Sequence, residues 1–397
     1  DMRVYLREAY IKHNFQINAP FLKSANVKAG NIIYTWGNTD DIKPVDILNH
    51  QDLSLGLIKP LQERKYAELS TDISVYFTNT IFLETVFMPC FQPHETASSR
   101  FSDSRLENSY ILPAVLPEKN SDSFSYAARL GMDFFDIDMH LNYFNGIDRK
   151  QTLVAHTNGI QIDNSALATA MATGQDPMNT VNMPGVHFTQ EYKRIQMLAF
   201  DFQRAIIKGI GVRGEFAYFF DGKYSYTDKD IPIYIDGEQA TDEEIEALLA
   251  QASSAGADVG SLNNISKLPT PVKKKMLEYT LGVDDTDLFG INNLYGNIQI
   301  YQKFIINHEE SLIDDAVTTW FLGKIEYSML RTKLKIFNKT LFDAGDPSAA
   351  VNLGVSYRLS EICTASLGTW QVFGDDDNMI GQYNKDDYYY INAVAKF

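Results

Sequence analysis

The chain closes on the stretch "YYYINAVAKF" (388–397). Every second residue counted back from Phe397, namely Ala395, Ala393, Ile391 and Tyr389, forms one set. The interleaved set is Lys396, Val394, Asn392 and Tyr390. A period of two places these sets on opposite faces of a strand, one apolar and the other wetter. A terminal strand of a soluble protein is ordinarily followed by a few frayed polar residues. Alternation running to an aromatic last residue suits instead the closing strand of a barrel in a membrane.

The same period recurs along the chain. It is clearest in "AELSTDISVYF" (67–77), "FFDIDMHLNYF" (134–144), "GVRGEFAYFF" (211–220), "NIQIYQKFII" (297–306), "WFLGKIEYSM" (320–329) and "AAVNLGVSYRL" (349–359). Each segment is about the 9–11 residues that cross a bilayer at a tilt. With weaker segments, about 15 strands are predicted, the first two over 3–15 and 29–36 and the middle ones over 123–132, 134–145, 186–203 and 206–220. Tight connections are expected near Asn79-Thr80, Asp133, Arg204-Ala205, Leu330-Arg331 and Ser360. They alternate with long ones at 37–65, 92–122, 146–185, 221–274 and 374–385. Short turns on one side and long loops on the other is the pattern of an outer-membrane barrel, with the long loops outside. The expected fold is therefore all-β: one transmembrane antiparallel up-and-down barrel over residues 1–397. Parity sharpens the count: if both termini lie in the periplasm, an even number of strands is needed, so a full barrel of about 16 is expected, with either one N-terminal strand absent from this chain or the visible set miscounted by one.

Composition agrees. The chain has 24 Phe, 22 Tyr and 3 Trp, enough for aromatic girdles at two interfaces, and a formal net charge of −16, which argues against nucleic acid as a partner. No run of about 18 apolar residues offers a helical span. A mean hydropathy of −0.22 is compatible with a barrel, in which only alternate residues meet lipid. The opening "DMRVYLREAY" has no signal peptide, as expected of an exported mature chain. Cys90 and Cys363 are expected at opposite ends of the barrel and therefore free.

Two loops are long enough to fold inward and narrow the lumen. In 221–274, Thr241 and Glu244 form a capping box ahead of Ile245, Leu248 and Leu249, predicting a short helix. In 146–185, "SALATAMATG" is a weaker helix candidate. A surface cap over the rim is the competing reading of both.

If the more apolar alternation faces lipid, the other lines the lumen. The third to sixth strands then contribute Glu68, Asp72, Glu84, Asp133, Asp136 and Asp138, with Arg129 as the exception and His140 beside them. The tenth to thirteenth contribute Lys303, Lys324, Lys333, Lys335, Lys339 and Arg358, with Glu326 as the exception. Opposed walls of unlike sign would set a transverse field across a wet pore. Arg213 and Glu215, like Lys324 and Glu326, read as cross-strand pairing residues rather than catalysts. Asp136, Asp138 and His140 share one face, but no fourth ligand is identifiable, so lumen lining is favoured over a metal or acid–base site. Asp40, Asp41, Asp46 and Asp52 lack the spacing of an EF-hand and read as a solvated acidic loop. "GDDDN" (374–378) reads as a solvated outer turn. With no nucleophile, phosphate-loop or metal-ligand motif, neither an enzyme nor a cofactor is expected.

The N-terminal third carries a more specific pattern: "LREAYIKHNF", then "IIYTWGNTDDIKPVDILNHQDLS", then "ETVFMPCFQP". Over residues 6–93 this succession resembles a family of proteobacterial outer-membrane porin-like proteins, often encoded beside RND-type exporters and lipoprotein-sorting-like partners. Arg7, Glu8, Ala9, Tyr10, Trp36, Gly37, Asp46, Asn49 and Asp52 match its motifs, and His50 stands where proline is usual. The resemblance implies a barrel in the outer membrane and suggests hydrophobic or lipid-like cargo, without fixing a substrate. In physical terms Trp36-Gly37 reads as an interface aromatic followed by a permissive turn. The terminal aromatic Phe397 resembles the C-terminal signal read by the barrel-assembly machinery, a further expected partner. Outer-membrane lipid and lipopolysaccharide are the expected surroundings, and a homo-oligomer and a periplasmic transport partner remain open. The leading functional expectation is a passive channel for small solutes; a lipid-cargo conduit and a plugged surface scaffold or adhesin are the alternatives.

Overall fold

The computed structural model describes residues 7–54, 61–96, 110–111, 114–156, 161–162, 173, 181–182, 187–207, 209–225, 234–235, 238–239, 271–375, 380–385 and 387–395. Fifteen strands form one sheet, each hydrogen-bonded to its neighbours in chain order and antiparallel throughout. We number them β1 (Ala9–Ala19), β2 (Leu22–Ile32), β3 (Glu68–Tyr76), β4 (Ile81–Met88) and β5 (Ser125–Phe134). Next come β6 (Ile137–Ile147), β7 (Arg194–Ile207), β8 (Ile210–Tyr224), β9 (Val272–Asp285) and β10 (Leu294–Ile306). The last five are β11 (Val317–Met329), β12 (Leu334–Asp343), β13 (Ser348–Arg358), β14 (Cys363–Phe373) and β15 (Tyr388–Ala395). The 15 strands are the number visible in the sequence, and among the described residues no pairing joins β1 to β15, so the barrel is not closed.

The alternation decides which face is which. Outward positions carry large exposed apolar side chains, such as Leu141, Leu198, Ile298, Phe321, Leu353 and Ile391. Inward positions include many buried polar residues, as with His140, Asn142, Asp201, Thr280 and Asn352, beside apolar clusters that pack against the β2–β3 connection. An apolar exterior around a polar interior inverts the soluble arrangement and is what a transmembrane barrel requires. No helix among the described residues is long and apolar enough to cross a membrane; the strands are the spanning elements.

The connections sort by end. At one end lie the turns at 20–21, 77–80, 135–136, 208–209, 286–293, 330–333 and 359–362; at the other lie 33–67, 89–124, 148–193, 225–271, 307–316 and 374–387, with 344–347 the one short member. Several turns stand off their predicted places, for local reasons. The β5–β6 turn is at Phe135-Asp136, both left-handed (φ 56° and 60°), not at Asp133. Two consecutive positive φ values make the hairpin turn whose twist matches the strands, and phenylalanine is not the residue that announces it. The β7–β8 turn uses Gly209 (φ 90°) rather than Arg204-Ala205. The first hairpin turns at Pro20-Phe21, because proline has no N–H to give to a ladder. That shifts β2 to Leu22–Ile32 and frees residues 33–36 to leave the wall.

The helix expected near 241–249 lies outside the described residues, as does most of the loops 146–185 and 221–274, including "SALATAMATG" except Thr173. Cys90 and Cys363 are both free, one in the connection after β4 and the other opening β14 at the turn end.

Candidate functional site

The connection between β2 and β3 folds into the barrel. Trp36, Val45 and Leu48 are each at most 1% exposed, and Asp46, Asn49, Arg64 and Lys65 are buried with them. The acidic stretch is therefore an internal plug, not a solvated loop, and Trp36-Gly37 lies in the lumen rather than at the membrane interface. Inside a barrel a polar group of such a segment is costly unless it finds a partner in the wall or in itself, and many side chains of the plug do.

Asn49 closes the base. Its Oδ1 accepts from the Tyr34 N–H at 2.7 Å, while its Nδ2 donates to the carbonyls of Ile32 (3.0 Å) and Tyr66 (2.8 Å). One amide side chain thus ties the start of the segment to its end. Lys65 donates to the Tyr34 carbonyl at 2.8 Å and forms a fully buried ion pair with Asp46. Burial pushes Asp46 up and Lys65 down, with their mutual attraction opposing both shifts. Glu8 accepts from the Ile33 N–H at 2.9 Å as the chain leaves the wall. The short helix α1 (Leu61–Arg64) caps Asp41: the Leu61 N–H donates to its Oδ1 and Arg64 to its carbonyl, each at 3.2 Å.

The tip is held by the wall opposite. Glu215 on β8 is wholly buried, and its carboxylate accepts from the Thr39 N–H (2.8 Å), the Thr39 hydroxyl (2.5 Å) and the Val45 N–H (3.2 Å). Gly37 has φ +80° and lies against that carboxylate so closely that a Cβ would collide with it. Asp201 on β7 accepts from Asn38 and Asn142, each at 2.7 Å, and lies 2.7 Å from His140 Nδ1, which also meets Arg129 at 2.8 Å. Arg213 reaches Asp40 at 3.3 Å, Thr280 on β9 donates to the Ile42 carbonyl at 3.2 Å, and Lys339 on β12 meets Asp41 at 2.7 Å. Burial alone would raise the Asp41 pKa; Lys339, together with the Leu61 N–H and Arg64, outweighs it and holds the carboxyl below its usual range. Arg129 on β5 places its guanidinium 5.8 Å from the Trp36 ring centroid.

The residues expected to line the lumen divide into three groups. Glu68, Asp72, Arg129, His140, Arg213, Glu215, Lys303, Lys324, Glu326, Lys335 and Lys339 stand at inward phase and are paired there. Glu84 is inward as well, in register with Arg129 across the β4–β5 ladder. Asp138 is inward but near the turn end, 3.4 Å from His140 and hydrogen-bonded to Gln203. By contrast Asp133, Asp136, Lys333 and Arg358 are exposed at the turn end, outside the lumen. Asp136 is thus separated from the face it was expected to share with Asp138 and His140, because the turn takes it up.

Several partners were not foreseen. Lys28 pairs with Asp72 at 3.1 Å, Arg149 with Glu68 at 3.0 Å and Asp314 with Lys303 at 3.0 Å. Correct placing of β2 would have put Lys28 on the inward face. Arg149 and Asp314 lie in connections, where alternation gives no signal. Beside the base of the plug, His94 accepts from the Gln51 N–H at 2.9 Å; burial pushes its pKa down to about 3, which keeps the ring neutral and able to accept. Among the described residues no group of three or more His, Cys, Asp or Glu side chains is arranged to hold a metal ion.

Fold and site together define a transmembrane antiparallel barrel with an internal plug made from its own second connection. The chain belongs to the family described as "Protein of unknown function (DUF1302)", whose model matches residues 1–323. No curated protein sequence matches it. Among solved structures it is similar to outer-membrane expressed OmpT of Vibrio cholerae, at 9% identity and TM-score 0.39 over 92% of this chain and 79% of that one. It is also similar to the Ralstonia pickettii toluene transporter TbuX (9%, TM-score 0.27, 92% and 83%). A third similarity is to Acinetobacter baumannii OccAB3 (9%, TM-score 0.26, 89% and 81%).

Proposed function

We propose that the protein is an outer-membrane channel for small polar solutes, with its lumen narrowed by the plug at residues 33–54 and 61–67. The observation that carries this reading is the mode of attachment. Beside the apolar packing of Trp36, Val45 and Leu48 against wall residues such as Met88, Phe144 and Met197, the plug is joined to β7, β8, β9 and β12 by side-chain hydrogen bonds and ion pairs. Such contacts exchange readily with water and suit a segment beside a wet pathway. The role is passive and non-enzymatic. The test is single-channel conductance of the purified protein in a planar bilayer, with ion selectivity read at asymmetric salt. Steady conductance whose selectivity moves toward cations in Lys335→Glu supports the channel; silence from a folded sample refutes it.

A second reading, a conduit for apolar cargo handed over at the turn end, is favoured by one observation. The turn tips there carry large exposed apolar residues, with Phe21, Phe135 and Phe289 at 85%, 88% and 86% exposure and Leu330 and Leu359 beside them. Exposed apolar groups gathered at one end mark a contact surface. Phe21→Ser, Phe135→Ser and Phe289→Ser combined should abolish uptake of a fluorescent fatty acid while leaving ion conductance unchanged; unchanged uptake removes this reading.

A further inference from the structure

The inner face of β8–β12 carries a polar band that the plug tip covers. Asp284 on β9, Asn297 on β10, Lys324 on β11 and Lys339 on β12 are successive ladder partners, so they lie in one row across the wall. At the spacing of neighbouring strands the row spans about 14 Å. Arg213 extends it to β8 through its contact with Asp284. Gln299 lies one inward position further along β10 and leans over Gly282, where a Cβ would come within 2.9 Å of its Cγ. Gln299 is only 2% exposed, yet neither its Oε1 nor its Nε2 has a hydrogen-bond partner among the described residues. A buried amide left in this state is costly, and it asks for a polar occupant.

The plug tip pairs the two ends of the band and leaves the buried Gln299 amide between them without a hydrogen-bond partner among the described residues. Asp40 takes Arg213 and Asp41 takes Lys339, while the second carboxylate oxygen of Asp40 is buried without a partner among the described residues. Were these two aspartates withdrawn, Arg213 would keep Asp284 and Lys339 would lose its carboxylate, Lys324 and Lys335 would still share Glu326, and the β8 carboxylate of Glu215 would lose its Thr39 and Val45 donors. A dianion would restore the two negative charges withdrawn with the aspartates, and Gln299 adds a donor and an acceptor between the cations.

We propose that this band is a binding site for small dicarboxylates, and that Asp40 and Asp41 occupy it as a tethered surrogate that such a solute displaces. The proposal rests on the channel reading and names the solute class the lumen selects. Its chemistry is exchange of ion pairs, with no covalent step. A solute carboxylate at Lys339 releases Asp41, and a second near Arg213 releases Asp40, which loosens the tip from the wall.

The test is titration of the purified full-length protein in detergent with succinate, followed calorimetrically, together with bilayer conductance on the same preparation. Wild type should bind succinate, and combined Asp40→Asn and Asp41→Asn should tighten binding about tenfold by removing the internal competitor. Gln299→Leu, which alters no charge, should weaken binding about tenfold. Failure of folded wild type and the double variant to bind succinate would overturn the proposal, as would binding that the double variant leaves unchanged. The two readings fail separately. Conductance without succinate binding overturns the dicarboxylate site and leaves the channel, whereas binding in a protein silent in bilayers upholds the site and removes the channel.

Discussion

Replacing Glu215 isolates the attachment of the plug from the integrity of the wall. Its carboxylate takes three donors, but they are unequal: the Thr39 hydroxyl also lies 2.9 Å from the Ile42 carbonyl, an alternative acceptor. In Glu215→Leu the hydroxyl can turn to Ile42, while the Thr39 and Val45 N–H groups lose their acceptor in a buried place. At about 1–3 kcal/mol for each stranded donor, the plug-seated state loses roughly 2–6 kcal/mol. At 1.4 kcal/mol per decade, the population with the tip released rises by about 30-fold to 10⁴-fold. Glu215→Gln keeps one carbonyl oxygen for Thr39 but turns an NH₂ toward a second donor, so it should lose about 1–3 kcal/mol, one donor's share. The outer face of β8, including Phe216 and Phe220, is untouched, so the barrel itself should persist. The assay pairs single-channel conductance with limited proteolysis of residues 33–67. Conductance and cleavage should rise in the order wild type, Glu215→Gln, Glu215→Leu. Identical conductance and protection in all three folded proteins would refute Glu215 as the post that seats the plug.

Three other perturbations probe the same assembly. Gly37→Ala puts a methyl group against the Glu215 carboxylate at φ +80°, a conformation that costs an L-residue about 1–2 kcal/mol before any clash, so partial release in the proteolysis assay is expected. Asn49→Ala strands the Tyr34 N–H and two carbonyls at the base of the plug; hydrogen exchange at the Tyr34 amide should accelerate at least tenfold, and unchanged exchange would remove Asn49 as the tie. The third is acid. Burial would raise the pKa of Asp314 in the 307–316 connection, but Lys150 and Lys303 together hold it below its ordinary value of 3.8. Lys303 is the firmer partner, at 3.0 Å and shielded, whereas Lys150 is at 3.5 Å and mostly in water. A depressed carboxyl pKa stabilises the folded state above the unfolded value and loses that contribution as pH falls through the folded one. Protease resistance of this connection should therefore be flat from pH 7 to about pH 5 and fall only below about pH 4; loosening near pH 6 would contradict the assignment.

The wall was legible because its signal is periodic. Ile391 and Tyr389 point outward at 85% and 83% exposure while Tyr390 and Tyr388 face in, as the alternation of the last strand requires. The turns were legible only where residue chemistry announced them. Leu330-Arg331 was placed correctly, but Phe135-Asp136 was displaced by two residues because nothing in a phenylalanine signals positive φ. The plug was not legible, because a segment satisfied by single contacts has no period. Its aspartates look like those of any solvated loop until the strands carrying Lys339 and Arg213 are set across from them. The residues that match the family motif gain physical roles in this arrangement: Glu8 holds the departing chain, Gly37 admits Glu215, Asn49 ties the base and Asp46 neutralises Lys65.

The plug also changes what the wall charges mean. Taken from the strands alone, acidic β3–β6 face basic β10–β12 and a strong transverse field follows. In the folded protein most of these charges have local partners: Asp72 is opposed by Lys28, Glu68 by Arg149, Lys303 by Asp314 and Lys339 by Asp41. Opposite charges a few ångströms apart cancel beyond a Debye length of about 8 Å, so these pairs contribute little to the field at the centre of a wet lumen. Lys324 and Lys335 are different, since both lean on the single carboxylate of Glu326 at 3.0 and 2.8 Å and leave one positive charge unmatched. Selectivity should accordingly respond to substitutions at Lys324 and Lys335 far more than at Lys303 or Asp72. Glu326→Gln, which frees a second positive charge without altering shape, should shift the reversal potential toward anions. A shift of equal size from Asp72→Asn in the same direction would mean that the pairs do not screen each other and that the wall acts as the strands alone suggest.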